Sequence, residues 1–147
     1  FAYGLAGVRV GYMLAPPALV REMSGQLTNY RLGTLQEELA IAALRDKQHL
    51  PRLREECARE RKHLLEGLSR FDGIEAWDTE VNFVFGRFTD GRTGAELKRR
   101  MAERGIGTKC FEPFAGVTYD PYFRITLGTH EENAFFLEQM EEVLELF

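Results

Sequence analysis

The sequence predicts a mixed α/β protein whose C-terminal half is an α+β small domain. Its apolar residues recur with the two-residue period of strands in some segments and with helical spacing in others. Hydrophobic residues make up 44% and charged residues 29% of the 147 positions, as in ordinary core-forming domains. The order of elements is strand, helices, strand, helix, extended segment, strand, helix, which is typical of this class.

The first half contains one strand-like segment and three helix-like segments. Val8 to Leu14 alternates in polarity and predicts a strand, which the Pro16-Pro17 pair ends. Ala18 to Gln26 has short helical character, and Leu35 to Leu44 combines strong helix formers with an apolar stripe. Leucines from Leu50 to Leu68 follow one side of a long helix whose other face is charged. This half therefore predicts one strand and mostly helix.

The pattern changes after the turn at residues 71–73. Glu80 to Phe88 alternates as a strand. Thr93 and Glu96 form a predicted capping box at a helix start, and Gly105 is suited to the helix end. Ile106 to Phe111 can return as an extended segment. The change of pattern predicts a domain boundary, with residues 1–70 and 71–147 on either side.

The last segments are a strand and an amphipathic helix. Tyr122 to Leu127 alternates, which predicts that Phe123, Ile125 and Leu127 face a core. Thr129 and Glu132 form a second predicted capping box. The apolar side of the final helix consists of Phe136, Met140, Val143, Leu144 and Phe147.

The start of the sequence suggests a piece of a longer protein. Phe1 is not methionine, and the next residues form a Gly-rich turn that leads at once into the predicted strand. A lone strand also needs partners in a sheet. We therefore expect a fragment, with a processed N-terminus as the alternative.

Composition excludes several functional classes. The net charge of -4 gives no electrostatic reason to expect nucleic acid, which favours proteins with clustered Lys and Arg. No apolar run approaches the roughly 20 residues of a membrane span. Cys57 and Cys110 lack the spacing of a zinc site or a disulfide framework. We expect a soluble cytoplasmic protein without a metal, whose partners are small molecules or protein.

The most specific motif is FAYGLAGVRVGY at residues 1–12. It resembles the turn and the Gly-hydrophobic-Arg-hydrophobic-Gly-Tyr pattern of histidinol-phosphate aminotransferases, which are fold type I enzymes dependent on pyridoxal 5'-phosphate (PLP). The resemblance implies that Arg9 binds the cofactor phosphate, a role for which a planar guanidinium is suited. It also places the lysine that forms the Schiff base eight positions earlier, where this chain has Phe1. Phenylalanine cannot form an imine, so the resemblance predicts no catalytic residue in this chain and no activity of the chain alone.

A second motif, YFRITLGTHEEN at residues 122–133, resembles the closing motif of the same family. The resemblance assigns Arg124 to binding of the substrate carboxylate. On the predicted strand Arg124 shares a face with Tyr122 and Thr126, opposite the apolar residues. Spacing alone also allows a structural arginine paired with a nearby glutamate.

The remaining polar candidates are interpreted as structural or solvated. Asn82 resembles a weaker family pattern and is interpreted as structural, and Cys110 as a small packing residue. Tyr30 and Arg31 lie in the region before the long helix, and an exposed polar loop explains them as well as a functional role does. Solvated side chains are expected for the three histidines at 49, 63 and 130 and the four lysines at 47, 62, 98 and 109.

The resemblance implies the C-terminal portion of an aminotransferase that acts on an amino acid, such as histidinol phosphate, and a 2-oxo acid, such as 2-oxoglutarate. Residues 1–70 would be a strand and long helix left from the large PLP-binding domain, and residues 71–147 the small domain of a homodimeric enzyme. Two alternatives stay open: a PLP-dependent decarboxylase of amino-acid phosphates, and a non-catalytic remnant that acts as an assembly module.

Overall fold

The computed structural model describes residues 2–26, 32–111 and 120–146. The chain forms two compact units, Phe1–Leu53 and Arg54–Phe147. The predicted boundary at residue 70 concerns the domains of the longer family fold and stays a prediction. Phe1, Tyr30, Arg31 and Phe147 lie outside the described residues.

The first unit contains a short 3-10 turn and helices. The turn is Ala6–Val8, α1 is Pro17–Gly25, α2 is Thr34–Arg45, and α3 is His49–Leu68 and continues into the second unit. Pro17 is tolerated as the first residue of α1 because its missing N–H has no partner inside the helix. These helices confirm the three helical segments predicted for this half.

The predicted strand at residues 8–14 is wrong. The 3-10 turn ends at Val8, and residues 9–14 have no regular secondary structure. Tyr12 and Leu14 are 83% and 89% exposed, so the alternation does not produce a buried face. A strand forms by exchanging backbone hydrogen bonds with a neighbour, and none of the described residues of this unit forms a strand.

The second unit contains a four-stranded antiparallel sheet in the order β1-β2-β4-β3. Its strands are β1 Ile74–Trp77, β2 Phe83–Phe88, β3 Lys109–Cys110 and β4 Tyr122–Thr126. Strand β1 was not predicted from the sequence. The three other strands confirm the predicted extended segments, with later starts or earlier ends.

One face of this sheet is covered by helices α3, α4 (Gly94–Glu103) and α5 (His130–Glu145), which together with the sheet form the core. Phe123 and Ile125 are buried and Leu127 packs at the edge, as predicted. Cys110 is also buried, which confirms its packing role. The core side chains that approach or reach zero exposure are Leu64, Leu68, Val84, Phe88, Leu97, Met101, Phe123, Ile125, Phe136, Leu137, Met140 and Val143.

The helix ends follow local sequence signals. At α5 both bonds of the capping box form between Thr129 and Glu132, as predicted. At α4 the Thr93 side chain accepts from the Glu96 N–H, while the Glu96 carboxylate binds arginines of the same helix. Gly105 follows α4 in a left-handed conformation (φ 76°), which favours glycine because it has no Cβ.

Candidate functional site

The face of the sheet opposite to the one covered by α3, α4 and α5 is here called the open face. Strand alternation places on it Glu75, Trp77, Phe83, Phe85, Arg87, Lys109, Tyr122, Arg124 and Thr126. Their neighbours on each strand, such as Val84 and Phe123, point to the core. The predicted face of Arg124, shared with Tyr122 and Thr126, is confirmed.

Arg124 lies near the middle of this face. It is directly opposite Phe85 on β2 and Lys109 on β3, and its Cζ lies 5.0 Å from the centre of the Phe83 ring. Its Nε is buried, and none of the described residues supplies a hydrogen-bond acceptor for it. A buried N–H without an acceptor costs free energy, so this donor is suited to a ligand that brings an acceptor.

Lys109 adds a second cation to the same place. Like charges directly opposite each other on adjacent strands destabilise a sheet, and Lys109 and Arg124 have this register. Among the described residues no carboxylate lies within ion-pair distance of either side chain. Lys109 is exposed, as predicted for a solvated charge, but its position opposite Arg124 was not predicted. The pair is suited to binding an anion.

Aromatic rings fill the centre of the open face. Phe85 stacks on Trp77 and Tyr122 with centroid distances of 5.6 and 5.5 Å, and Phe111 meets its edge at 5.6 Å. Beside them Arg87 binds the Glu75 carboxylate at 2.7 Å, a hydrogen bond that raises the pKa of Arg87. Arg87 is thus a cation with a partner on the same face.

Arg9, the predicted phosphate ligand, lies in the first unit. It follows the 3-10 turn in a left-handed conformation (φ 60°), and its exposed guanidinium donates to the Ala6 carbonyl at 3.2 Å. A Cβ added at Gly7 or Gly11 would meet no atom within 4 Å, so the backbone around Arg9 is open to an approaching group. Arg9 is on a loop and not on a strand, which corrects its predicted setting. Phe1, the predicted lysine position, lies outside the described residues.

A buried carboxylate lies on the helix-covered side of the second unit. Glu60 is 4% exposed and accepts from Asn133 Nδ2 at 3.1 Å and Arg59 Nε at 3.1 Å. His130 Nδ1 lies 3.2 Å from the same carboxylate. Burial alone raises the pKa of Glu60, but these hydrogen bonds outweigh it and lower the pKa below its ordinary value of 4.5.

The histidines make contacts that were not predicted, although the His130 side chain is 60% exposed, as expected for a solvated side chain. The rings of His63 and His130 lie 4.6 Å apart, and the buried Nε2 of His63 has no hydrogen-bond partner among the described residues. His49 contacts the Ala2 carbonyl at 2.8 Å. Sequence spacing could not show these contacts, since His63 and His130 are distant along the chain.

The described residues contain no cluster of three or more His, Cys, Asp or Glu side chains that could hold a metal ion. None of the helices they form is both long enough and apolar enough to cross a membrane.

Comparison with known proteins assigns the chain to a class of enzymes. The family described as aminotransferase class I and II matches residues 2–140, and the chain belongs to that family.

Among its relatives, the histidinol-phosphate aminotransferase of Moorella thermoacetica is 31% identical over 144 residues, which cover 97% of this chain and 35% of that protein. The solved structure of L-threonine-O-3-phosphate decarboxylase from Porphyromonas gingivalis is 27% identical, with a TM-score of 0.81, over 98% of this chain and 44% of that one. Histidinol-phosphate aminotransferase from Sinorhizobium meliloti, solved in complex with pyridoxal-5'-phosphate, has a TM-score of 0.81 at 23% identity over 98% of this chain and 39% of that one, which shows the shared fold. The chain thus spans less than half the length of each.

Proposed function

We propose that this chain is the C-terminal part of a PLP-dependent aminotransferase of the histidinol-phosphate and 2-oxoglutarate type, and that Arg124 binds the substrate carboxylate. The observation that carries the proposal is the position of the Arg124 guanidinium on the open face. Its Nε is buried, and none of the described residues provides a hydrogen-bond acceptor for it. A carboxylate brings two acceptor oxygens and a negative charge to a planar donor. Lys109, directly opposite, adds attraction for the same anion.

The residues of this chain provide only part of a binding site for the cofactor. Arg9 has an exposed guanidinium next to an open, glycine-rich backbone, which fits a phosphate group. When bound, PLP supplies the electron sink for chemistry at the substrate carbon, and the family holds it through a lysine amine. Phe1 has no amine. We therefore infer that the chain alone binds anions at Arg9 and Arg124 without transaminase activity.

Within the complete protein, we infer that residues 1–70 belong to the large domain and residues 71–147 to the small domain. We also infer, from the family resemblance alone, a soluble cytoplasmic homodimer that uses an amino acid and a 2-oxo acid. The similarity to a histidinol-phosphate aminotransferase over 97% of the chain supports the aminotransferase class.

The carboxylate proposal is tested with succinate, a stable dicarboxylate. Titration into ¹⁵N-labelled chain should shift the Arg124 Nε–H resonance, because a bound carboxylate accepts from that donor. Arg124→Ala should weaken binding by at least about tenfold, since loss of one partner of a charge-assisted pair costs roughly 1.5–3 kcal/mol.

Arg87→Ala is the matched control, because Arg87 lies on the same face but is already paired with Glu75. Equal affinities for succinate in the wild-type chain and Arg124→Ala would contradict the proposal.

A decarboxylase is the second candidate, favoured by the 27% identity to the threonine-phosphate decarboxylase structure. The Arg motifs alone do not separate these reactions, because both use the same cofactor and a substrate carboxylate. Products separate them. A longer chain with Phe1→Lys should convert an amino acid to its 2-oxo acid if it is a transaminase, whereas a decarboxylase would release carbon dioxide.

An assembly module is the third candidate, favoured by exposed apolar side chains of the first unit such as Tyr12, Leu14 and Leu35. Sedimentation of the chain should then show a stable oligomer. A monomer at all accessible concentrations would exclude self-assembly.

A further inference from the structure

Through two consecutive residues, helix α3 contacts the segments that flank the start of β2 and the end of β4. Arg61 donates from Nε to Asp78 at 2.7 Å and from Nη1 to the Val81 carbonyl at 3.1 Å, in the connection between β1 and β2. Glu60, the preceding residue, binds Asn133 near the start of α5. One turn of α3 therefore holds the segment before β2 and the segment after β4.

Asn133 continues the link from Glu60 to the strand. Its Oδ1 accepts from the Gly128 N–H at 3.0 Å, and its Nδ2 donates to the Gly128 carbonyl at 3.2 Å as well as to Glu60. A single amide thus binds both backbone groups of Gly128. Asn133 is 3% exposed, so water cannot easily replace these bonds.

Gly128 lies just past the end of the strand that carries Arg124. Between them, Leu127 N–H donates to the Asn82 carbonyl at 2.9 Å, and Thr126 is paired with Phe83. Phe83 is also the residue whose ring lies 5.0 Å from the Arg124 Cζ. The end of β4 and the start of β2 thus place the guanidinium and the ring against each other.

We propose that Glu60 is a positioning residue for Arg124, which acts through Asn133 and Gly128 to fix the end of β4. The inference rests on the proposed carboxylate role of Arg124 and adds a residue that does not touch the substrate. A buried carboxylate is a costly choice for stability alone, because apolar residues of similar volume often stabilise a fold equally well. Its directional bond to Asn133 is what an apolar side chain cannot supply.

The first experiment measures the position of Arg124 without any ligand. The Phe83 ring current should shift the Arg124 side-chain protons in the wild-type chain, because the guanidinium carbon lies 5.0 Å from the ring centre, so NMR reports the position of the side chain relative to the ring. Glu60→Leu removes the acceptor but keeps most of the volume, and should abolish most of this shift in chains that remain folded. Glu60→Gln keeps an acceptor oxygen for Asn133 and should restore it.

Two further variants serve as checks. Asn133→Ala breaks the same link from the other side and should cause the same loss of shift, which covers the case in which Glu60→Leu does not fold. Glu55→Leu alters an exposed glutamate of the same helix and should leave the shift unchanged. An unchanged Arg124 shift in folded Glu60→Leu or Asn133→Ala chains would overturn the proposal and leave Glu60 with a purely structural role.

Succinate affinity separates this inference from the function on which it rests. In Glu60→Leu the dissociation constant should rise about tenfold, because a misplaced ligand group loses much of its binding geometry. If the ring-current shift depends on Glu60 but the wild-type chain does not bind succinate, Glu60 still positions Arg124 and the carboxylate role is wrong. If succinate binds equally to both folded chains, Glu60 does not position Arg124 for binding.

Discussion

At the scale of single residues, Glu60 shows how a buried charge is retained. The carboxylate is removed from water, which favours its neutral form, yet the bonds from Asn133, Arg59 and His130 favour the ionised form more strongly. Because Arg59 is largely exposed, its share of this stabilisation is screened by solvent. Asn133, which is buried, is the partner on which the ionised form mainly depends.

The lowered pKa of Glu60 predicts a pH-dependent stability. A carboxyl group with a folded-state pKa below its unfolded value stabilises the fold above the unfolded pKa and loses this contribution as pH falls through the folded pKa. We expect the difference in unfolding free energy between the wild-type chain and Glu60→Gln to shrink as the pH falls from about 6 to below about 4.5.

Urea unfolding across this range measures that difference. The other carboxylates with lowered pKa values, among them Glu96 at about 2, are common to both chains and cancel in the comparison. A difference that does not change with pH would show that ionised Glu60 contributes nothing to stability.

At the scale of elements, the capping box of α5 predicts a local contribution to stability. Thr129 accepts from the Glu132 N–H at 3.3 Å, and Glu132 accepts from the Thr129 N–H at 2.7 Å. Thr129→Ala removes the first bond and should lower the unfolding free energy by about 1 kcal/mol. Thr129→Ser retains the hydroxyl and should remain close to wild type. Equal losses in both variants would point to the Thr129 methyl group and not to the cap.

Local signals could be predicted from the sequence and long-range contacts could not. Thr129 and Gly105 act on their own helix ends, so three or four residues were enough to identify them. The alternation at residues 8–14 gave a wrong strand because alternation does not supply a hydrogen-bonding neighbour. Strand β1 was missed because it has only four residues.

In the candidate site, too, local features could be predicted from the sequence and long-range contacts could not. The face of Arg124 follows from the two-residue period of its own strand. The opposition of Lys109 depends on the register between β3 and β4, which the sequence does not state. Glu60 is separated from Asn133 by 73 positions, so only the folded chain reveals their contact.

At the scale of the whole molecule, the buried residues are distributed unequally between the two units. Every described residue that is buried lies in the second unit, from Glu60 to Val143. The helices of the first unit contain no buried residue between Pro17 and Arg45. Because apolar burial is the main source of stability, the second unit should contain most of the unfolding free energy.

This inequality predicts that residues 49–147 fold without the preceding segment. Position 49 preserves the start of α3, so the shortened chain keeps every element that contributes to the core. Its cooperative thermal transition should match that of the 147-residue chain.

Hydrogen exchange of the longer chain should show protected amides in β2, β4 and α5 and rapid exchange in α1 and α2, because local opening of helices without buried contacts costs little free energy. Protection of α1 and α2 equal to that of β4 would mean that the first unit is stabilised by contacts beyond its own residues, and loss of the transition on shortening would mean that the second unit depends on it.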